Sequence, residues 1–150
     1  MNTQNQSIQY PKVKLKDHPE WITNQITDET IQWCESFGKY LACETHKDKF
    51  PKNGLTSSQL RRFFGALKRI AIYGYSKEEY VKLLRLKPML AYAVGRDKDE
   101  KGYNKTRISN FYEEISTAID LMKDKGEKEF KNFIQIVEAI VAYHKAAGGK

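Results

Sequence analysis

The sequence is dominated by apolar residues that recur every three or four positions, which is the spacing of one face of an α-helix. The pattern is clearest over two stretches near the C-terminal end, residues 105–125 and 127–146. Their apolar positions are Ile108, Phe111, Tyr112, Ile115, Ile119 and Met122, followed by Phe130, Phe133, Ile134, Val137, Ile140 and Val141. No stretch shows the sustained polar–apolar alternation of a half-buried strand. The sequence therefore predicts an all-α fold without a sheet.

Residues 28–45 form a further segment with helical spacing. Thr27 or Asp28 can cap its N-terminus, and a short helical turn around Trp21 precedes it. Its apolar face consists of Ile31, Cys34, Phe37, Gly38 and Leu41.

The next helix is predicted over residues 57–73. Thr56 and Gln59 match the T-x-x-Q capping box at its start, and Gly74 is a stop signal at its end. Its apolar face consists of Leu60, Phe63, Phe64, Leu67, Ile70 and Ala71.

A third N-terminal signal follows at Ser76, where Glu79 would complete another capping box. Pro88 is expected to break or kink this helix after Lys87, because proline lacks the backbone N–H that the helix interior needs. The apolar run that follows predicts a short, largely buried helix that ends at Arg96.

Together these segments predict a compact bundle of about five helices. The length of 150 residues suggests one domain, which can bury a core without disulfides or metals. We place that domain at residues 18–150. Residues 1–17 are polar and unpatterned, and we interpret them as an N-terminal tail that can fray. The charged segment 96–105 is interpreted as a flexible, solvated loop.

The two cysteines, Cys34 and Cys43, indicate free thiols rather than a disulfide. On one helix they would lie about 13 Å apart along the axis, whereas a disulfide needs Cα atoms within about 7 Å. We therefore expect free, buried thiols in a reducing compartment. No apolar run reaches about 18 residues and no signal-peptide pattern is visible, so we expect a cytoplasmic protein without a membrane partner.

The net charge of +7 is confined to the central part of the chain. Residues 57–96 hold nine lysines and arginines against two glutamates, whereas the charges balance in 1–56 and in 97–150. Ordinary solvated surface charge would be scattered more evenly. Such a local excess is typical of a surface that binds a polyanion, most often nucleic acid.

Four of these cations lie on the helix over 57–73, which contains no acidic residue. At about 100° per residue they border or oppose the apolar stripe, and the set is Arg61, Arg62, Lys68 and Arg69. Arginine forks suit phosphate oxygens. Gly65 lies among them, either because another backbone approaches closely or because the position simply tolerates glycine. Further cations that could widen the surface are Lys77, Lys82, Arg85, Lys87 and Arg96.

No catalytic or metal-binding motif is visible, so we expect no enzymatic activity, no metal and no cofactor. The three histidines have no ligand spacing relative to one another or to the cysteines. Neither a Walker-type phosphate loop nor a nucleophile elbow is present. A DNA-binding helix-turn-helix around residues 74–76 is disfavoured, because its second helix would present Glu78 and Glu79 to the DNA phosphates.

The last helix carries apolar residues on a second side, at Ile136 and Tyr143. They indicate either deep burial or contact with another subunit, and the sequence does not separate the two. His144 follows the apolar face and is interpreted as a packed histidine at the edge of the core.

Three blocks of the sequence, in order, resemble the small subunit of the type III-A CRISPR effector, the Csm complex. They are LTSSQLRRFFGALKRI (55–70), LKPMLAYAVGR (86–96) and FKNFIQIVEAIVAYHKAAGG (130–149). The last block is the most specific. The resemblance spans about residues 28–149 and leaves the N-terminal tail out.

The resemblance implies an all-helical, non-catalytic subunit that lines the channel where target RNA pairs with guide RNA. It also implies partners: the guide and target RNA, the backbone and large subunits, and further copies of this chain in a stacked filament. The basic residues implied to bind RNA are Arg61, Arg62, Lys68, Arg69 and Arg96. The main alternative is a helical adaptor that uses the same patch to bind an acidic protein, and a small nuclease is a weaker one.

Overall fold

The structure, a computed structural model, describes residues 8–44, 51 and 53–150. The first seven residues of the expected tail and most of the loop before α3 lie outside the described residues. Over the described ranges the chain forms no strand and seven α-helices, which confirms the all-α prediction. They are α1 (Glu20–Thr23), α2 (Asp28–Ala42), α3 (Ser57–Ile72), α4 (Tyr80–Leu84), α5 (Leu86–Arg96), α6 (Ile108–Leu121) and α7 (Glu127–Ala146).

α2 and α3 begin where the sequence predicts, because threonine side chains cap their first turns. Thr27 Oγ1 accepts a hydrogen bond from the Thr30 N–H at 3.4 Å. At α3, Thr56 Oγ1 accepts from the Gln59 N–H at 3.1 Å, and Gln59 Oε1 accepts from the Thr56 N–H at 2.9 Å. Gly74 has a φ of 80°, a left-handed conformation that lets the chain leave the helix.

The prediction for the third segment is wrong in two respects. The capping box of Ser76 and Glu79 does not form, and a 3₁₀ turn without a side-chain cap occupies these positions. The break between α4 and α5 lies at Arg85 rather than after Lys87. Pro88 is the third residue of α5, where a backbone N–H would have no acceptor within the helix, so its ring is tolerated.

α5 is less buried than predicted. Leu86 and Leu90 face the core, whereas Tyr92 keeps 68% of its surface exposed. The helix packs mainly against α6, with smaller contacts to α3 and α4. It therefore has one buried side and one open side.

The most extensive helix contact joins α2 and α7. Gly38 of α2 faces α7 so closely that a Cβ atom built on it would lie 2.8 Å from Tyr143 Cβ and 2.9 Å from the Ile140 carbonyl oxygen. Nearby, Cys34 Sγ donates to the Ile136 carbonyl oxygen at 3.6 Å. The two backbones approach because neither a Cβ nor a large side chain separates them at this point.

The structure also resolves the burial of single residues. Ile136 is 1% exposed and Tyr143 packs partly buried against the core, so the second side of α7 contributes to the interior of this chain. Ile31 was placed on the apolar face of α2, but it is 37% exposed.

Both cysteines are free, as predicted, although only Cys34 is fully buried and Cys43 is half-buried. Burial raises the pKa of the Cys34 thiol to about 12.

In the described part of the expected tail, residues 8–17 make three long-range hydrogen bonds to α2 and α6. Trp33 Nε1 donates to the Val13 carbonyl oxygen at 2.8 Å. Leu15 is fully buried, and its N–H donates to Glu114 Oε1 at 3.0 Å. The Tyr10 hydroxyl donates to the other oxygen of Glu114, and burial beside this carboxylate raises the tyrosine's pKa. We call residues 8–17 the N-terminal strap.

The charged loop after α5 is ordered by hydrogen bonds and differs from the predicted flexible connection. Asp97 is buried, and its Oδ2 accepts hydrogen bonds from the Thr106 N–H at 2.8 Å and the Thr106 hydroxyl at 2.9 Å. An isolated antiparallel bridge pairs Lys98 with Asn104. These bonds close the loop and fix where α6 begins.

A matched pair of glycine substitutions tests the contact between α2 and α7. Gly38→Ala places a methyl group against two backbone atoms and one Cβ of α7, which costs about 1–3 kcal/mol of overpacking. The better helix propensity of alanine offsets about 1 kcal/mol of that. In Gly65→Ala, on α3, the nearest atom is Arg69 Nη1 at 3.8 Å, so only the propensity gain applies. Urea unfolding should show a less stable Gly38→Ala and a more stable Gly65→Ala; equal stability of both variants would contradict the close approach.

A second pair tests the N-terminal strap. Glu114→Ala leaves the buried Leu15 N–H without its acceptor, and we expect the free energy of unfolding to fall by about 1–3 kcal/mol. Hydrogen exchange at the Leu15 amide should also accelerate. Glu113→Ala removes the same charge from an exposed neighbouring position of α6 and serves as the control. An unchanged exchange rate at Leu15 in Glu114→Ala would show that the strap is held by other contacts.

Candidate nucleic-acid interface

The four cations predicted on α3 are all exposed, and they lie away from the helix positions that are buried. The buried positions are Leu60, Phe63 and Leu67, as the helical spacing predicts. Among the described residues, no carboxylate lies within ion-pair distance of Arg61, Arg62, Lys68 or Arg69. Lys68 Nζ lies 5.0 Å from the centroid of the Phe64 ring, which supports the side chain without neutralising it. We call these four residues the α3 cation face.

The α3 cation face consists of two short rows along the helix. Arg61 and Lys68 are seven residues apart, as are Arg62 and Arg69, and a spacing of seven brings side chains to nearly the same angle about 10 Å along the axis. A polyanion that follows the helix can therefore meet two cations in each row. The geometry suits a repeating chain of phosphates better than a single small anion.

Two other cations of residues 57–96 are engaged in ion pairs and so add less positive charge to the α3 cation face. Lys82 pairs with Glu79 at 2.6 Å, and Lys87 pairs with Asp120 at 2.7 Å. The Asp120 hydrogen bond also raises the pKa of the Lys87 ammonium. Because these two side chains are partly neutralised, the prediction from the sequence overestimated how many cations are available to bind a polyanion.

Arg96, at the end of α5, lies beside α3 in the structure. Arg62 and Arg96 line the same open cavity of about 450 Å³ between the two helices. The other three cations of α3 do not line it. The guanidinium carbon of Arg96 lies 5.8 Å from the ring centroid of Tyr92, which lines the cavity too. The fold thus brings together two of the five predicted site residues, although they lie 34 positions apart in the sequence.

Sequence reasoning missed Tyr92. It was included in an apolar run interpreted as buried, because its neighbours are alanine, leucine and valine. Tyr92 and Arg96 are four residues apart on α5, and residues at this spacing are neighbours on a helix surface. That spacing could have indicated from the sequence that the ring and the guanidinium group lie together.

Gly65 has no close backbone neighbour among the described residues, since only the Arg69 side chain comes within 4 Å of its ideal Cβ. Within this chain the glycine is not required for helix packing. The α3 cation face is therefore open at this point.

The remaining candidates for chemistry lie in the core or at helix ends. His144 is 1% exposed, its Nε2 lies 2.5 Å from the Leu55 carbonyl oxygen, and burial lowers its pKa. Its packing at the edge of the core is as predicted.

α4, which would be the recognition helix of a helix-turn-helix, has only five residues. In the described ranges no group of three His, Cys, Asp or Glu side chains could hold a metal ion.

A family model described as Csm2 Type III-A matches residues 29–150. The matched range covers α2 from its second residue and all of α3 to α7, and it includes all five predicted RNA-binding residues. This chain belongs to the Csm2 Type III-A family. It is therefore a small subunit of the type III-A CRISPR effector, the Csm complex, as the resemblance implied. No curated protein and no solved structure matches the chain. No helix in the described part of the chain is long and apolar enough to span a membrane.

Proposed function

We propose that this small subunit is a non-catalytic RNA-binding element of the effector. In this proposal it lines the channel where target RNA pairs with guide RNA, and several copies stack as a filament beside the backbone and large subunits in the cytoplasm. The observation that carries the proposal is the α3 cation face, whose four exposed cations have no carboxylate partner among the described residues.

Backbone binding is the mode that this surface supports best. Lysine and arginine side chains in two rows match a line of phosphates, and phosphate contacts carry no sequence information. A subunit that must accept any guide and any target needs contacts of this kind. Arginine forks add two parallel hydrogen bonds to a phosphate, which a point charge does not.

A binding role without catalysis is supported by what α3 offers to an RNA. The helix contains no aspartate, glutamate, histidine or cysteine. Such a surface can hold and neutralise phosphates through its lysine and arginine side chains. Family membership in a structural small subunit supports the same role.

A fourfold variant tests the proposal. With about four phosphates neutralised, log K for single-stranded RNA should fall with log salt at a slope of about −3. Changing Arg61, Arg62, Lys68 and Arg69 to alanine should flatten that slope and weaken binding of unrelated RNAs alike. Helicity should persist, because alanine favours helix and the buried face is untouched. The measurement is fluorescence anisotropy over a salt series, on the full chain and on the assembled effector.

The matched control removes four exposed lysines from the balanced C-terminal part of the chain, namely Lys123, Lys128, Lys131 and Lys145. Its net charge falls by the same amount, so any general charge effect is reproduced. We expect this variant to keep most of the parent's affinity and salt slope. Arg61→Glu with Arg62→Glu should bind more weakly than alanine at both positions, because it adds repulsion. If the fourfold variant binds RNA as tightly as the parent at low salt, α3 is not the RNA surface and an acidic protein partner becomes the better explanation.

A further inference from the structure

We propose that the cavity between α3 and α5 binds one unpaired RNA base, stacked against Tyr92, while Arg62 and Arg96 hold the phosphates on either side of it. The inference rests on the proposed function, because it adds a base site to the backbone contacts of the α3 cation face. The two sites bind different parts of the RNA: the base site binds the planar ring of a base, whereas the α3 cation face binds the charged phosphates.

The cavity has the size and lining that a base requires. Its volume of about 450 Å³ falls in the range of small-molecule sites. Its accessible apolar lining comes from the partly buried Met89 and Ala93 and the exposed Tyr92, with the buried Phe63, Leu90 and Ile108 behind them. An apolar lining favours the flat ring of a base over a hydrated phosphate.

Tyr92 is the side chain that gives the cavity a stacking surface. Its 68% exposure is large for an aromatic residue on a helix whose neighbours Leu86 and Leu90 are buried. Arg96 lies near the ring at 5.8 Å from its centroid, so a cation and an aromatic plane are presented together. Proteins that bind single-stranded nucleic acid use this combination, because every base has a π-face and every link carries a phosphate.

The charge at the rim favours a nucleotide over an apolar protein segment. Neither Arg62 nor Arg96 has a carboxylate within ion-pair distance among the described residues. Among the described residues, Asp97 is the one carboxylate that lines the cavity, and it is buried and accepts two hydrogen bonds from Thr106. A base with its flanking phosphates is complementary to both parts of this site, whereas an apolar peptide leaves the two guanidinium groups without an anion.

The site is also continuous with the proposed RNA surface. Arg62 belongs to the α3 cation face and lines the cavity at the same time. A strand that follows α3 therefore passes the mouth of the cavity, where one base can turn inward without leaving the phosphate contacts. This placement joins the base site to the backbone site.

The test separates base from backbone by using two oligomers of equal charge. One is a single-stranded RNA of about twelve nucleotides, and the other has the same sugar–phosphate chain with abasic positions throughout. The full chain should bind the RNA at least about fivefold more tightly than the abasic oligomer at low salt, since stacking adds to the phosphate contacts. In Tyr92→Ala this ratio should fall towards one, while the salt slope stays that of the parent. Tyr92→Phe keeps the ring and should keep the ratio.

Tyr73→Ala is the matched control, because Tyr73 is 84% exposed and does not line the cavity. This variant should retain the preference for bases. If the parent binds the RNA and the abasic oligomer equally tightly and keeps its salt slope, the base site is wrong and the proposed binding of the RNA backbone still holds. A ratio that survives Tyr92→Ala, or falls equally in Tyr73→Ala, would also overturn the base site. If neither oligomer binds, both the base site and the proposed RNA binding are wrong.

Discussion

The close packing of α2 against α7 is the contact on which the rest of the structure depends. Gly38 removes the Cβ that would hold the two helices apart, and the C-terminal ends of both helices then reach the same loop residue, Leu55. Its N–H donates to the Leu41 carbonyl at 2.6 Å, and its carbonyl meets the buried His144 ring. Because Leu55 directly precedes the Thr56 cap, this contact holds the start of α3 against the helix pair. The proposed RNA surface is thus oriented by a helix pair that carries none of its cations.

The second wall of the cavity is positioned through the loop after α5. Asp97 binds Thr106, and the Thr106 hydroxyl lies 3.4 Å from Gln59 Oε1, the side chain that caps α3. Thr106 therefore contacts both the end of α5 and the side chain that caps α3. A base site needs both walls to be held before the ligand arrives, since ordering them on binding would lower the affinity. The charged loop, which had been expected to be flexible, provides that connection.

The helical content, the caps at Thr27 and Thr56 and the end of α3 at Gly74 could be predicted because they depend on local rules. Spacing of three and four identifies a buried face, and a threonine followed by a suitable residue three positions later identifies a start. The same rules failed at Ser76 and Pro88, where packing of two short helices decided the break. They gave no indication of the N-terminal strap, because its Tyr10 hydroxyl and Leu15 N–H donate to Glu114 in a distant part of the chain.

The sequence by itself determined the fold class and the presence of a helix whose charged residues are all cations, because composition and periodicity are properties of neighbouring positions. Three blocks of the sequence also carried the resemblance to the family. Only the tertiary structure decided which charges stay available: Lys82 and Lys87 are paired, whereas Arg62 and Arg96 meet at one cavity. It also decided that Tyr92 faces outward, in a run whose composition had indicated burial. The physical reason is that pairing and burial depend on which helices become neighbours. That choice is made by long-range packing, which spacing along one helix does not encode.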